Sequence, residues 1–406
     1  MATLVFWGFP GHGHVNPSLP IIAELVRRGE RVYYYSLEEF QPAIESTGAE
    51  FRSYGEGFPL TARLSQMSSS AEKAYTLALT IRWVFEQLLP KVRALQPDYV
   101  FHDAMAAWGG LSAQVLQVPS IGLQPSIAFN FRVILGFLPI FAAMLRQRSV
   151  SHEKKQAKPN YQELLNEISQ TYHLKKMSMF TLFTQQSTLM LVCTSQLFQP
   201  FTSSFDPRRY AFVGPMLQTR SAAPTFPFEK LDEQRPLIYI SLGTMVAHQA
   251  DFFRMCLQAF AQSDWQIVMA TGKSVAPEAL GEIPANCFVQ QYVPQLEILQ
   301  RASLFVTHGG MNSVNEALAY DVPLVVIPQG ADQPMVARRV TTLGAGKQLS
   351  SRNLSPEKLR RATEEVLAQP RYAQAAERVG ESLRTAGGSQ KAADEIQSFK
   401  RVLGIV

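Results

Sequence analysis

The residues best equipped for chemistry form one run, Val306-Thr307-His308-Gly309-Gly310-Met311-Asn312-Ser313-Val314-Asn315-Glu316, followed shortly by Asp332-Gln333. Leu304-Phe305-Val306 reads as a short buried strand. The glycine pair after it lets the backbone turn tightly and approach a ligand without an intervening Cβ. A helix is expected to start near Asn312. The first N–H groups of a helix lack partners within it and stand at the positive end of the peptide dipole, so the occupant this run suits is an anionic phosphate. His308, Asn312 and Ser313 add side-chain donors at the same point. Glu316, about one helical turn further on, can accept hydrogen bonds from the vicinal hydroxyls of a ribose. A second apolar strand, Leu324 to Ile327, ends at Pro328, and Asp332-Gln333 falls just beyond its carboxyl end, the edge of an open α/β sheet where ligands bind. The same Gly, Asn and Ser residues would also serve a plain strand-to-helix turn. The polar pair at 332–333 favours the ligand site.

A second cluster stands near the amino terminus: Gly8-Phe9-Pro10-Gly11-His12-Gly13-His14-Val15-Asn16-Pro17. It follows a first strand, Thr3 to Phe6, and precedes a helix expected over Pro17 to Arg28, with Asn16 as its cap and Gly29 as its terminator. Its spacing departs from the Gly-x-Gly-x-x-Gly dinucleotide fingerprint. Asp103 ends another apolar strand, Asp98 to His102, and can project to the same sheet edge as His14. His102 beside it should point to the opposite side. Plainer readings are a helix-entry histidine and a helix-capping aspartate. A metal site built on His12 and His14 lacks further ligands at usable spacing.

These clusters sit in a regular alternation of strands and helices. Thr3 to Phe6, Arg31 to Ser36 and Asp98 to Phe101 read as parallel strands of a first domain. Leu237 to Ser241, Trp265 to Ala270, Leu304 to Thr307 and Leu324 to Ile327 restart the pattern in a second. Between them, residues 220–236 are rich in Pro, Ala and charge without periodicity and read as a linker. The expected division is 1–219, the linker 220–236, 237–388, and a last helix from 389 to 406. A chain of 406 residues is too long for one ordinary core.

Tyr292-Val293-Pro294-Gln295, the His308 to Glu316 run and Asp332-Gln333 together resemble the donor signature of the UDP-dependent glycosyltransferases. Gly310-Met311 is similar to bacterial macrolide-type members, where plant members usually carry tryptophan at the second of these positions. The resemblance extends over nearly the whole chain. It implies an α/β fold of two facing Rossmann-like, doubly wound domains (GT-B) with a cleft between them. Acceptor binding would lie in the first domain and nucleotide-sugar binding in the second, and the last helix would pack back on the first. It implies His14 as general base on an acceptor hydroxyl, a role that suits the near-neutral pKa of imidazole, with Asp103 as its orienting carboxylate. In the second domain, Ser241-Leu242-Gly243-Thr244 resembles the family's Ser-x-Gly-Ser/Thr element. Gly243 would permit close approach and Thr244 would donate to a phosphate. Tyr292 would lie against uracil, with the Val293 backbone at the base edge, Gln295 near the ribose, and Asp332 and Gln333 on the hexose hydroxyls.

No Asp-x-Asp pair is present to hold a divalent cation, so transfer is expected to need no metal and no other cofactor. The expected partners are a UDP-sugar, with UDP-glucose preferred, and an apolar hydroxylated small molecule such as a flavonoid, other phenol, terpenoid or macrolide. Met- and Phe-rich segments near 60–90 and 127–190 suit such an acceptor, although core packing explains them equally. A hydrolase or epimerase on the same plan, or a non-catalytic sugar-nucleotide sensor, stays open from the residues alone.

Composition excludes other classes. Hydrophobic content of 46% is that of a globular protein, and a net charge of +5 without a dense Lys/Arg block gives no footprint for nucleic acid. Ser126 to Leu145 is apolar but interrupted by Asn130, Arg132 and Pro139, which fits a buried or groove-lining helix better than a membrane span. Met1 to Phe6 reads as a strand rather than a charged leader, so the expected location is cytoplasmic; oligomeric state is not legible in the sequence, and monomer is the default. Cys193, Cys256 and Cys287 read as reduced core residues.

Overall fold

The computed structural model describes residues 1–60, 70–140, 160–184, 187–217, 224–243 and 249–405. The chain divides into two units. One comprises Met1–Cys193, Phe201–Met216 and Gly387–Val406, the other Thr194–Pro200 and Leu217–Ala386.

The first unit is built on β1 (Thr3–Trp7), β2 (Arg31–Ser36), β3 (Glu50–Ser53), β4 (Tyr99–Asp103), β5 (Ser120–Gln124), β6 (Leu189–Val192) and β7 (Tyr210–Phe212). All pair in parallel, in the order β3-β2-β1-β4-β5-β6-β7 among the described residues. Successive side chains of a strand point to opposite faces, so each strand feeds two cores. Leu4 and Phe6 pack with Ile21, Ile22 and Leu25 of helix His12–Arg27 and with Ala392, Ala393 and Ile396 of helix Gly388–Leu403. Val5 and Trp7 pack on the other face with Ile81 and Val84 of helix Ser70–Gln87, and with Trp108 and Leu111 of helix Ala107–Leu116.

The carboxyl-terminal helix is held to helix His12–Arg27 by polar contacts as well. Arg28 donates to Asp394 at 2.6 Å and to Gln397 at 3.1 Å, and Lys400 pairs with Glu30 in a buried ion pair. Such a pair offsets its desolvation only if both charges stay together.

Helix His12–Arg27 begins earlier than the sequence pattern predicts. Its cap is Gly11, in an extended conformation, rather than Asn16, and Pro17 and Pro20 lie inside it. The Gly11 carbonyl accepts from both His14 N and Val15 N at 2.9 Å, which closes the first turn ahead of the prolines. His14 is therefore carried on a helical turn and not on a loop.

The second unit repeats the plan with β8 (Leu237–Ser241), β9 (Gln266–Ala270), β10 (Cys287–Gln290), β11 (Leu304–Thr307), β12 (Leu324–Val326) and β13 (Gly346–Gln348). They are parallel, in the order β10-β9-β8-β11-β12-β13. Every residue of β8 and β9 is buried, as expected of central parallel strands covered on both faces. Ile238 and Ile240 face Phe253 and Leu257 of helix Ala250–Phe260 and Leu359 and Val366 of helix Pro356–Ala368.

Two boundaries differ from those expected. Thr194–Pro200 groups with the second unit, where Arg339 donates to the carbonyls of Leu197 at 2.6 Å and Phe198 at 2.7 Å. The described part of the expected linker also packs there. Phe226 is buried against Phe288, Arg301 stacks over Phe228, and Gln266 clamps the Asp232 backbone through both its amide oxygen and its amide nitrogen at 2.7 Å. Proline and charge there mark an irregular backbone, which these side chains nevertheless fix.

No helix among the described residues is long and apolar enough to cross a membrane. Within the apolar stretch that raised the question, helix Phe131–Gly136 buries Val133 and exposes Phe131 and Leu135; residues 141–145 lie outside the described residues.

Candidate active site

In each unit the strand order reverses beside the first strand, and the loops there leave in opposite directions and open a crevice at the carboxyl ends. In the first unit those strands are β1 and β4, and they deliver His14 and Asp103. His14 Nδ1 lies 2.9 Å from Asp103 Oδ2. Asp103 is fully buried, while the His14 side chain keeps 28% of its surface exposed. The second carboxylate oxygen, Oδ1, accepts from Met105 N–H at 2.8 Å, so the carboxylate is fixed at both ends. An anion placed this way favours the tautomer with the proton on Nδ1 and leaves the Nε2 lone pair to take a proton.

Neighbours that sequence reasoning missed hold this pair in place. Tyr54 donates to the Gly8 carbonyl at 2.7 Å and accepts from Trp108 Nε1 at 3.2 Å, which fixes the turn leading into the His14 helix. Burial holds the Tyr54 phenol well above its ordinary value, so it remains a donor. The Phe9 ring packs 4.8 Å from His14. His102 is buried, as alternation along β4 requires, with Nδ1 2.8 Å from the Asp103 carbonyl and Nε2 2.8 Å from Ser187 Oγ. A Cβ on Gly109 would stand 2.3 Å from His102 Cβ, so this glycine allows helix Ala107–Leu116 to seat against β4. The Gly109-Gly110 pair inside a helical pattern was the available signal. Tyr54 gave none, since it reads as core. His12 packs edge-on against Phe40, apart from the His14–Asp103 pair.

In the second unit the reversal lies between β8 and β11, which deliver Gly243 and His308. The glycines here also have a packing task within the protein. A Cβ on Gly243 would stand 2.7 Å from His308 Cε1, and one on Gly310 2.6 Å from His308 Nε2. Both make room for the imidazole. Gly309 turns the chain at φ +87°, where side chains are strained. Burial pushes His308 down to about 4, so its ring is neutral near pH 7.

Helix Met311–Ala319 follows with Gly310 as its cap, which puts Asn312 and Ser313 in its first turn and Glu316 one turn on. Glu316 is buried and receives the amide of Gln295, whose own oxygen accepts from Tyr239 OH at 3.0 Å. Gln295 begins helix Gln295–Leu299, just after an exposed Tyr292 and a buried Val293. Asp332 is the cap residue of helix Gln333–Leu343, with no side-chain cap hydrogen bond, and Gln333 Oε1 accepts from Gln329 N at 2.7 Å and Gly330 N at 3.0 Å. That oxygen therefore shapes the loop before the helix. Thr244 lies outside the described residues. No cluster of three or more His, Cys, Asp or Glu side chains suited to a metal occurs among the described residues. The three cysteines are buried, and burial pushes their thiols above their ordinary values, Cys287 to about 12.

Two parallel-sheet Rossmann-like domains with polar groups at their reversal points define the GT-B class of glycosyltransferases. The fold matches the crystal structure of CalG4, the calicheamicin glycosyltransferase, with a TM-score of 0.82 and 28% identity over 99% of each chain. Residues 225–382 match the family model for UDP-glucoronosyl and UDP-glucosyl transferases. The chain is 36% identical over 400 residues to YojK of Bacillus subtilis (strain 168), described as an uncharacterized UDP-glucosyltransferase, covering 98% of this chain and 97% of that one. It is 29% identical to the oleandomycin glycosyltransferase of Streptomyces antibioticus, covering 98% of this chain and 90% of that one. The chain belongs to the UDP-glucoronosyl and UDP-glucosyl transferase family, and it is a glycosyltransferase.

Proposed function

We propose that this enzyme moves a hexose, glucose first, from a UDP-sugar to a hydroxyl of an apolar small molecule, with inversion and without a metal ion. The observation that carries the proposal is the His14–Asp103 pair, a buried carboxylate 2.9 Å from a partly exposed imidazole. Nε2 of His14 takes the acceptor proton as the acceptor oxygen attacks the anomeric carbon from the face opposite the diphosphate. The new C–O bond forms as the bond to the phosphate oxygen breaks, and UDP leaves with that electron pair. One in-line displacement on an α-linked donor gives a β-glycoside. The proton rests on His14, whose positive charge Asp103 balances.

The leaving group would be stabilised by the amino-terminal turn of helix Met311–Ala319 with Asn312 and Ser313, and by a donor hydrogen of His308. Thr244, Tyr292, Val293, Gln295, Glu316, Asp332 and Gln333 are assigned to phosphate, base, ribose and hexose on their likeness to the family's donor signature. Relatives named for oleandomycin and for zeaxanthin support an apolar hydroxylated acceptor.

The test is mass spectrometry of products after incubation with UDP-glucose, EDTA and a mixed panel of phenols and macrolides, with His14→Ala alongside. A product heavier by one hexose in the wild type and absent in the variant is expected. UDP release that ignores the acceptor would make the protein a hydrolase. UDP binding with no turnover on any acceptor or donor sugar would make it a sensor.

A further inference from the structure

Tyr239 is the middle residue of β8, fully enclosed by the sheet and its helices. Its ring lies 4.6 Å from that of Phe305, nearly parallel at 14°, on the neighbouring strand β11. Beyond the stack, the phenol hydroxyl donates to Gln295 Oε1 at 3.0 Å. The other end of the same amide donates to Glu316 Oε2. Tyr239, Gln295 and Glu316 thus form a chain of hydrogen bonds from the middle of the sheet to the carboxylate assigned to the ribose.

The chain can be assembled in only one sense. Reversing the Gln295 amide would put its carbonyl oxygen against a carboxylate, two acceptors facing each other in a buried place, which costs more than a lost hydrogen bond. Glu316 can only accept, so it sets the orientation, and the Tyr239 hydroxyl, donating to the oxygen so presented, holds the amide there. One donor is thereby committed to Oε2, and the plane of the carboxylate sets the direction of Oε1. A carboxylate aimed this way accepts from a hydroxyl at a defined place, whereas a mobile one would serve several.

We propose that Tyr239 is a positioning residue for nucleotide specificity: through Gln295 it fixes Glu316 so that the enzyme distinguishes ribose from 2′-deoxyribose in the donor. The proposal rests on the reading of Glu316 as the ribose-binding carboxylate and adds the element that makes its selectivity sharp. Tyr239→Phe keeps the ring and its stack on Phe305, so the core is conserved while the hydroxyl is removed.

The experiment is calorimetric titration of wild type, Tyr239→Phe and Glu316→Gln with UDP and with 2′-deoxy-UDP, read as the ratio of the two dissociation constants. Wild type should prefer UDP by roughly tenfold to a hundredfold, the worth of a hydrogen bond to a charged group. Tyr239→Phe should reduce that preference by about threefold to tenfold, from the loss of one neutral hydrogen bond behind the carboxylate. A general loosening of the domain would weaken both ligands equally and leave the ratio untouched, and that result overturns the proposal. If Glu316→Gln lowers the ratio while Tyr239→Phe does not, Glu316 reads the ribose and Tyr239 has no part in it. If neither variant moves the ratio, the assignment of Glu316 itself fails and the proposal with it.

Discussion

Asp103→Asn should remove nearly all transfer activity while leaving UDP binding intact, although it changes the shape of the site very little. The reason lies in the second contact of the carboxylate. Oδ1 accepts from Met105 N–H at 2.8 Å and Oδ2 faces His14 Nδ1 at 2.9 Å, and the side chain is fully buried. An asparagine has one carbonyl and one amide to offer, and the Met105 N–H demands the carbonyl. The amide then faces His14 and donates to Nδ1, which drives the imidazole proton onto Nε2, where the lone pair is needed. Recovering the productive tautomer forfeits a hydrogen bond to a charged group, about 1.5–3 kcal/mol, and opposes two buried donors, about 1–3 kcal/mol more. The sum of about 2.5–6 kcal/mol corresponds to a fall in kcat of roughly 10²- to 10⁴-fold. Asp103→Ala cannot force the wrong tautomer, so Asn should be no faster than Ala despite its closer shape. Initial rates at saturating donor and acceptor measure this, with UDP affinity by calorimetry as the control. An Asn variant that keeps more than a tenth of the wild-type kcat would refute the assignment of Asp103 as the group that sets the tautomer of His14.

Four further outcomes are expected. His308, held near 4 by burial against an ordinary 6.5, should make UDP binding at pH 5.5 take up a proton, because a diphosphate beside the ring raises its pKa again. Calorimetry in two buffers of different ionisation enthalpy should show the uptake in wild type and not in His308→Gln; no uptake in wild type would place the diphosphate elsewhere. The same depression means the unfolded chain protonates first, so the contribution of the neutral ring to stability is complete above about pH 6.5 and falls progressively towards pH 4. Urea melts at pH 7 and pH 5 should differ more for wild type than for His308→Gln. Gly310→Ala, at an ordinary backbone conformation but with its Cβ 2.6 Å from His308 Nε2, should weaken UDP binding by displacing the ring, and unchanged UDP affinity would show that the ring position is irrelevant to the nucleotide. Lys400→Ala leaves Glu30 buried without its cation and should cost about 3–5 kcal/mol in denaturant melts, whereas Glu30→Gln with Lys400→Met should recover most of it.

The sequence by itself determined the class of fold and placed the candidate residues at the ends of its strands. Central parallel strands are buried on both faces, so their near-continuous apolar runs stand out, and Leu237 to Ser241 and Leu304 to Thr307 were legible to the residue. The loop after each strand carries the chemistry, so a motif placed at a strand end already has its position at the sheet edge, as with Asp103 and His308. Helix beginnings were less legible. Asn16-Pro17 is a good start signal, yet Gly11 supplies the first turn, because a helix starts wherever its first carbonyl finds donors and not only where a capping side chain stands. Tertiary structure alone decided the pairings across long separations in the chain: Tyr54 with the Gly8 carbonyl, and Tyr239 behind Gln295 and Glu316. Each of these depends on the direction of a side chain within a packed core, which strand order and helix seating set together. A buried tyrosine in an apolar strand carries no local mark of the hydrogen bond it will make, since the amide that accepts it comes from a helix 56 residues further along the chain.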